Sequence, residues 1–360
     1  MKPGFDKSDL SFRAAIRRSL VAATKGGVAE VWRVLNSIDA FSFALPLDSG
    51  GLDLGEPAII HVVEELGRLA CSTPFMEFVD SLMCAADQGT RRELALLLQH
   101  DEPVGVVDLE AASSCPTNGD RHPVCRLNGF AMHQRCPVAA RVLVRHHTKQ
   151  GTSLHIASSG MTGFEVAAVH DAWGSGYGHV TLENAELARI GVFRNSAERS
   201  ARVQIRQAGY LVGLSAGALE HAAAHANARH LFGRPLVDQQ SVAFRLASLA
   251  ARISAARLLV HRAASEPPGE ELERLALQSL LLASVVARDT GQVTMQLHGS
   301  GGLLSTSQAS RFYMMISIER NRMESALELS HRVGKLYLGQ VQTPRDSRPE
   351  PDCELLGAVQ

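Results

Sequence analysis

The spacing of apolar residues changes period twice along this 360-residue chain, and that change constrains the fold more than any other feature. Residues 11–100 repeat apolar side chains at helical spacing; Val62 and Leu66 lie on one helix face, and Glu64 and Glu65 are predicted to face water. From residue 104 short β-rich runs alternate with Gly, Asn and Pro turns, which is typical of antiparallel sheet. Helical spacing then returns in four long stretches: 203–228, 240–264, 272–297 and 319–338.

These periods predict an α+β protein with a helical start, a sheet in the middle and a helix bundle at the end. The sheet is expected to form an antiparallel sandwich or barrel, and the many Ala and Gly residues of 203–228 predict close helix–helix approach. The predicted domains are an N-terminal helical domain (1–103), a middle β domain (104–193), a C-terminal four-helix bundle (194–342) and a disordered tail (343–360).

Charge and composition narrow the class of partner. The formal net charge is −1, so no basic field predicts binding to nucleic acid or to an anionic membrane. No run of about 18 apolar residues predicts a membrane span, and the first residues do not resemble a signal peptide. The six cysteines form no C-x-x-C pair, which favours buried, reduced thiols and a cytoplasmic location.

Two segments of the last region carry the most specific pattern. Arg229-His-Leu-Phe-Gly-Arg-Pro-Leu-Val-Asp-Gln-Gln240 joins two helical stretches through a Gly and Pro turn. Gln296-Leu-His-Gly-Ser-Gly-Gly302 follows some sixty residues later. An arginine beside a glycine turn is also a common way to end a helix, so a purely structural role is the alternative.

Together these segments resemble the acyl-CoA dehydrogenase family, whose C-terminal domain carries Arg-x-x-Phe-Gly-x-x-Leu-x-x-x-Gln and Gln-x-x-Gly-Gly-x-Gly. The loop 45–55, the following Glu64-Glu-Leu-Gly67 and the helix–sheet–helix order are similar to the family as well. The resemblance implies bound FAD, with phosphate contacts made across a subunit interface. Ser300 replaces the second glycine of the turn. The residues that match the family's cofactor contacts are Arg229, Phe232, Gln240, Gln296 and Gly299.

The flavin-ring positions and the catalytic base match the family less well. The family's Trp-x-Thr aligns with His133-Gln134-Arg135, which are otherwise polar strand residues. The family's base is a glutamate within Tyr-Glu-Gly-Thr; counted from Gln296, its position falls on Met323, with Glu324 adjacent. Glu324 is the predicted catalytic base and Glu319 a weaker candidate, with a solvated polar helix face as the alternative.

The resemblance implies an FAD-dependent oxidoreductase that desaturates an acyl-CoA or acyl-carrier thioester at Cα–Cβ. Two alternatives stay open: an incomplete subunit that completes the FAD site of a heteromeric partner, and a scaffold without flavin. A homo-oligomer or a hetero-oligomer with a second chain of this family is expected. His221 and His225 are spaced i, i+4 on a helix, and without a third ligand they predict a surface pair, not a metal site.

Overall fold

The structure is a computed structural model that describes residues 7–100, 102–110, 124–135, 141–149, 151–169 and 177–340. The predicted tail (343–360) lies outside these residues. Within these ranges, no helix is long and apolar enough to cross a membrane.

In the described residues before the sheet, the N-terminal region has five α-helices. Its core is aromatic: Trp32 packs on Phe41 and Phe78 with ring centroids 4.7 and 5.6 Å apart. The helices are α1 (Lys7–Ala23), α2 (Gly27–Ser37), α3 (Glu56–Arg68), α4 (Phe75–Met83) and α5 (Gln88–Leu98).

The prediction that Glu64 and Glu65 face water is wrong, because both are fully buried. Glu64 pairs with Arg257 at 2.9 Å and His261 at 3.0 Å, both from the C-terminal region. Glu65 accepts hydrogen bonds from Arg13 and Arg17 of α1. A buried carboxylate needs such partners, so these two residues join α3 to its neighbours.

The middle region is one six-stranded sheet with its own apolar core. The strand order is β1-β3-β4-β6-β2, and β5 also pairs with β6. The prediction of an antiparallel sheet needs one correction: β1 and β3 pair in parallel. Parallel neighbours need a long crossover connection, and the segment between them, which contains β2, provides it. The strands are β1 (Val104–Glu110), β2 (Val124–Gln134), β3 (Arg141–Thr148), β4 (Gly151–Ser158), β5 (Phe164–Ala168) and β6 (Gly178–Phe193).

Small residues let α6 approach α3 closely, as predicted. A Cβ on Gly213 would lie 2.1 Å from the Glu64 carbonyl oxygen, and one on Gly67 would lie 2.3 Å from the Tyr210 carbonyl oxygen. The C-terminal helices are α6 (Ala197–Ala228), α7 (Gln240–Ala264), α8 (Glu270–His298), α9 (Gln308–Glu319) and α10 (Ala326–Gln340).

Two expectations fail in detail. The predicted helix 319–338 is wrong, because α9 ends at Glu319 and α10 begins only at Ala326. Glu319 is held by buried side chains of other elements, which fixes the end of α9. The expectation of reduced thiols holds for Cys71 and Cys84, whereas Cys125 is disulfide-bonded.

Candidate functional site

A tight hairpin follows α6 and carries the first predicted motif. Strands β7 (His230–Leu231) and β8 (Arg234–Pro235) pair, and Phe232 and Gly233 form the tip with φ angles of 54° and 81°. Two positive φ angles are typical of a type I′ turn, which prefers Asn and Gly at these positions. Phe232 is therefore held in an unfavourable backbone conformation while its ring is 89% exposed.

The C-terminal ends of α6 and α8 lie side by side, so the two predicted motifs share one surface. His298 of α8 stacks on His225 and His221 of α6, with ring centroids 4.0 and 4.7 Å apart. Arg229 follows one turn after His225 and is exposed; Gln296 is also exposed and accepts a hydrogen bond from Arg245 at 2.7 Å. We call this surface the bundle end; its members are Arg229, Phe232, Gln240, Gln296 and Gly299.

The backbone at the bundle end is open. Gly299 ends α8 with a φ of 56°, and a Cβ at Gly299 or Gly301 would have no neighbour within 4 Å. Gln240 is the exposed first residue of α7. Burial first, and then the neighbouring His298, lowers the pKa of both His221 and His225, so these rings are neutral near pH 7. In the described part of the chain no group of three His, Cys, Asp or Glu residues is arranged to hold a metal ion.

A second candidate site is a cavity of about 940 Å³ between α4, the sheet and the start of α6. We call it the junction cavity. Its lining is unusually polar for a small-molecule pocket, which is ordinarily lined mostly by apolar side chains. The charged lining residues are Glu77, Asp80, Asp108, Arg135, Arg145, Arg199, Arg206 and Arg322.

One wall of the junction cavity is organised around Glu319, which is 1% exposed. Its carboxylate accepts hydrogen bonds from Arg135 Nε at 3.1 Å, Arg322 Nε at 2.9 Å, Tyr177 Oη at 2.5 Å and Gln207 Nε2 at 2.9 Å. Burial alone would raise the pKa of Glu319, but Arg135 and Arg322 outweigh it and hold the pKa well below its usual range. A carboxylate so occupied is a poor proton acceptor, so Glu319 joins elements instead of supplying a base.

The other wall is organised around Asp80. Its Oδ2 accepts hydrogen bonds from Arg145 Nη1 at 2.7 Å and Arg199 Nε at 2.9 Å. Arg206 forms a bidentate pair with Glu56 at 2.6 and 2.7 Å. Asp108 pairs with Arg145 and with His147. Burial would raise the pKa of Asp108, but these two neighbours outweigh burial and lower it.

The structure does not bring the predicted base into either site. Glu324 lies between α9 and α10 and pairs with Arg332. It is not among the described side chains that line the junction cavity, although its neighbour Met323 is. Arg135, which aligns with a flavin-ring position of the family, lines the cavity but is only 3% exposed. Its guanidinium is bonded to Glu319 and Glu77. The sequence contained no signal for this network, because Arg135 and Glu319 are 184 positions apart.

Known proteins resemble the chain over these same regions. The family model "Acyl-CoA dehydrogenase, C-terminal domain" matches residues 199–321, which contain both motifs. Caffeyl-CoA reductase-Etf complex subunit CarC of Acetobacterium woodii is 31% identical over 103 residues, a match that covers 28% of this chain and 27% of that protein. Cyclohex-1-ene-1-carbonyl-CoA dehydrogenase of Geobacter metallireducens is 26% identical over 307 residues, covering 74% of this chain and 78% of that protein.

Among solved structures, the fold resembles a chain of the ChsE4-ChsE5 complex from Mycobacterium tuberculosis. The TM-score is 0.76 at 18% identity, with 96% of this chain and 100% of that chain covered. At this identity the likeness concerns the fold, and it extends over the helical, sheet and bundle regions together. Residues 199–321 therefore match the C-terminal domain of acyl-CoA dehydrogenases, and the chain as a whole resembles proteins of that family in sequence and in fold.

Proposed function

We propose that this chain binds FAD at the bundle end and takes part in the desaturation of an acyl thioester at Cα–Cβ, within an assembly of facing subunits. The observation that carries the proposal is the exposure of Arg229 and Gln296 beside an open glycine backbone at one end of the bundle. An acyl-CoA is the proposed substrate, and a cytoplasmic location stays a prediction.

The bundle end fits the phosphate half of FAD in its chemistry. A guanidinium donates paired hydrogen bonds to phosphate oxygens, and Arg229 has no carboxylate partner among the ion pairs of the described residues. Gln296 offers an amide, and no Cβ crowds the backbone at Gly299 where a phosphate would approach. We propose that Phe232 packs on the adenine and that Gln240 donates a further hydrogen bond.

Bound FAD would supply the acceptor for the hydride that leaves Cβ of the substrate. The protein must then hold the thioester in the junction cavity, exclude water and accept the α-proton. Glu324 remains the candidate for this last role, and it must leave Arg332 to perform it. No described carboxylate that lines the cavity is without a guanidinium neighbour, since Glu77 pairs with Arg135, Asp80 with Arg145 and Asp108 with Arg145.

This pairing favours a second candidate function, an incomplete subunit that contributes FAD contacts to a partner chain with an intact base. Two solved structures of similar fold are named after two different chains each. One is the ChsE4-ChsE5 complex, and the other is Tcur3481-Tcur3483, a steroid acyl-CoA dehydrogenase at 20% identity with a TM-score of 0.72. In such an assembly Arg229 would serve a flavin whose ring lies in the partner.

The visible spectrum of the purified chain, alone and after co-expression with a second chain of the family, separates the candidates. Bound flavin in the chain alone, bleached by an acyl-CoA, supports the complete enzyme. Flavin bound only in the mixed assembly supports the incomplete subunit. A colourless protein in both preparations would contradict the proposal in either form.

A further inference from the structure

We infer that three stacked histidines at the bundle end, His221, His225 and His298, couple the binding of FAD to the uptake of a proton, so that flavin binds more tightly as pH falls. The binding of FAD itself rests on the proposed function, to which this coupling adds a dependence on pH. We call the three rings the histidine stack.

The histidine stack is continuous with both segments that are proposed to hold the FAD phosphates. His225 lies four residues before Arg229 on α6, and His298 directly precedes Gly299 at the end of α8. The ring centroid of His298 is 4.7 Å from that of His221 and 4.0 Å from that of His225. Charges interact over about 8 Å at physiological salt, so a charge on any of these rings acts on a bound phosphate without touching it.

The surroundings of the histidine stack oppose protonation when no ligand is bound. Burial first, and then His298, lowers the pKa of His221 and of His225. Arg229 lowers the pKa of His225 further. His298 donates from Nδ1 to the Thr294 carbonyl at 2.8 Å, and its Nε2 has no hydrogen-bond partner. Because charged rings in contact repel one another, the stack has room for about one proton.

The other charged groups on the elements that meet at the histidine stack are mostly basic. They are Arg229 of α6, His230 and Arg234 of the hairpin, Arg245 of α7 and Arg311 of α9. Asp238, before α7, is the one acidic residue within 229–245 and 296–304. Glu220, which precedes His221 on α6, pairs with Arg68. A diphosphate bound at the bundle end would offset this excess of positive charge and favour a proton on the stack.

Linkage gives the direction of the effect. A ring whose pKa is higher with FAD bound than without it takes up a proton on binding, and the proton and FAD then raise each other's affinity equally. Affinity therefore rises as pH falls through the interval between the two pKa values, by at most about tenfold per pH unit for one proton. The diphosphate bridge of FAD does not titrate near neutral pH, so the dependence belongs to the protein.

The test is a fluorescence titration of flavin-free, full-length protein with FAD from pH 5.5 to pH 8, in the assembly that carries flavin. We expect the affinity to rise at least about threefold between pH 7.5 and pH 6. Calorimetry in two buffers of different ionisation enthalpy should show net proton uptake. His298→Gln removes the ring common to both stacked pairs, and it should reduce the rise and the proton uptake by about half or more. His225→Gln serves the same purpose if His298→Gln does not fold.

His230→Gln is the matched control, because His230 is an exposed ring beside Arg229 whose charge is screened by solvent. It should retain the pH dependence. An affinity that is constant or falls as pH falls would overturn the coupling and leave the proposed function in place. So would a rise that survives both stack variants or disappears in His230→Gln. Absence of FAD binding at every pH would overturn the proposed function as well.

Discussion

The junction cavity and the bundle end both contain arginines, but their guanidinium groups are in opposite situations. In the cavity, Arg135 is 3% exposed and is bonded to Glu319, Glu77 and Gln207. At the bundle end, Arg229 is exposed, and the last turns of α6 before it pack on His298 and on apolar side chains such as Val242 and Leu246. The difference separates arginines that hold the fold together from an arginine that is available to a ligand.

The largest expected effect is a loss of stability when Glu319, beside the junction cavity, is replaced. Glu319→Gln leaves Arg135 and Arg322 buried without their shared charge, and breaking such a buried pair costs about 3–5 kcal/mol. We therefore expect the free energy of unfolding, measured by urea denaturation, to fall by that amount. Glu324→Gln is the matched control, because Glu324 is half-buried with a partly exposed partner and should cost less than about 1 kcal/mol. Equal losses in the two variants would contradict the distinction.

A smaller effect of opposite sign is expected at the bundle end. Phe232→Asn places a residue suited to positive φ at the hairpin tip, where the φ is 54°. The free energy of unfolding should rise by about 1 kcal/mol, since a left-handed backbone costs other L residues about that much. Flavin affinity should fall at the same time, because the exposed ring is lost.

Leu231→Asn, one residue earlier in β7, is the control for Phe232→Asn and should bring no gain in stability. If Phe232→Asn is as destabilising as this control, the strain at Phe232 has no energetic consequence. If it stabilises the protein while flavin binding is unchanged, the ring has no role in the cofactor site.

The smallest expected effect is on the pH dependence of the free energy of unfolding, which should differ between the two regions. Glu319 has a lowered pKa, so its contribution to stability is present above its usual 4.5 and is lost as pH falls below that value. His225 also has a lowered pKa, so protonation below its usual 6.5 favours the unfolded chain and stability declines from there. Denaturation measured from about pH 2 to pH 8 should show both declines. The decline due to His225 should be the shallower one, because His225 is only half-buried.

His225→Gln should reduce the decline that begins near pH 6.5, which His221 shares, and Glu319→Gln should reduce the one that begins near pH 4.5, which Asp108 shares. A pH profile that is unchanged in either variant would show that the corresponding group does not titrate as its surroundings imply.

Periodicity located the long helices well, because their apolar faces repeat over many turns. The stretch 240–264 coincides with α7, and 272–297 lies within α8. Strand β2 was not predicted as a whole, because Asn128-Gly129 interrupts it at a point where the strand pairing shifts register. The end of α9 at Glu319 was missed because the contacts that hold Glu319 come from the sheet and from α6, far away in sequence.

The candidate site divides in the same way. Motifs at Arg229 and Gln296 could be recognised because their spacing is local, and the fold places both on one surface. The cavity could not be foreseen, since several of its ion pairs join residues from different regions, as Arg206 and Glu56 do across 150 positions. Local sequence patterns therefore predict the residues of the bundle end, whereas the junction cavity results from tertiary packing.

Flavin occupancy of the double variant Arg229→Ala, Gln296→Ala tests the central claim most directly. It is measured by absorbance per chain in the assembly that carries flavin, with Arg288→Ala as the control, a partly exposed arginine of α8 away from its end. We predict at least a tenfold loss of FAD affinity in the double variant with unfolding unchanged, and full occupancy in the control. Full occupancy in the double variant would contradict the assignment of the bundle end as the site that holds the cofactor.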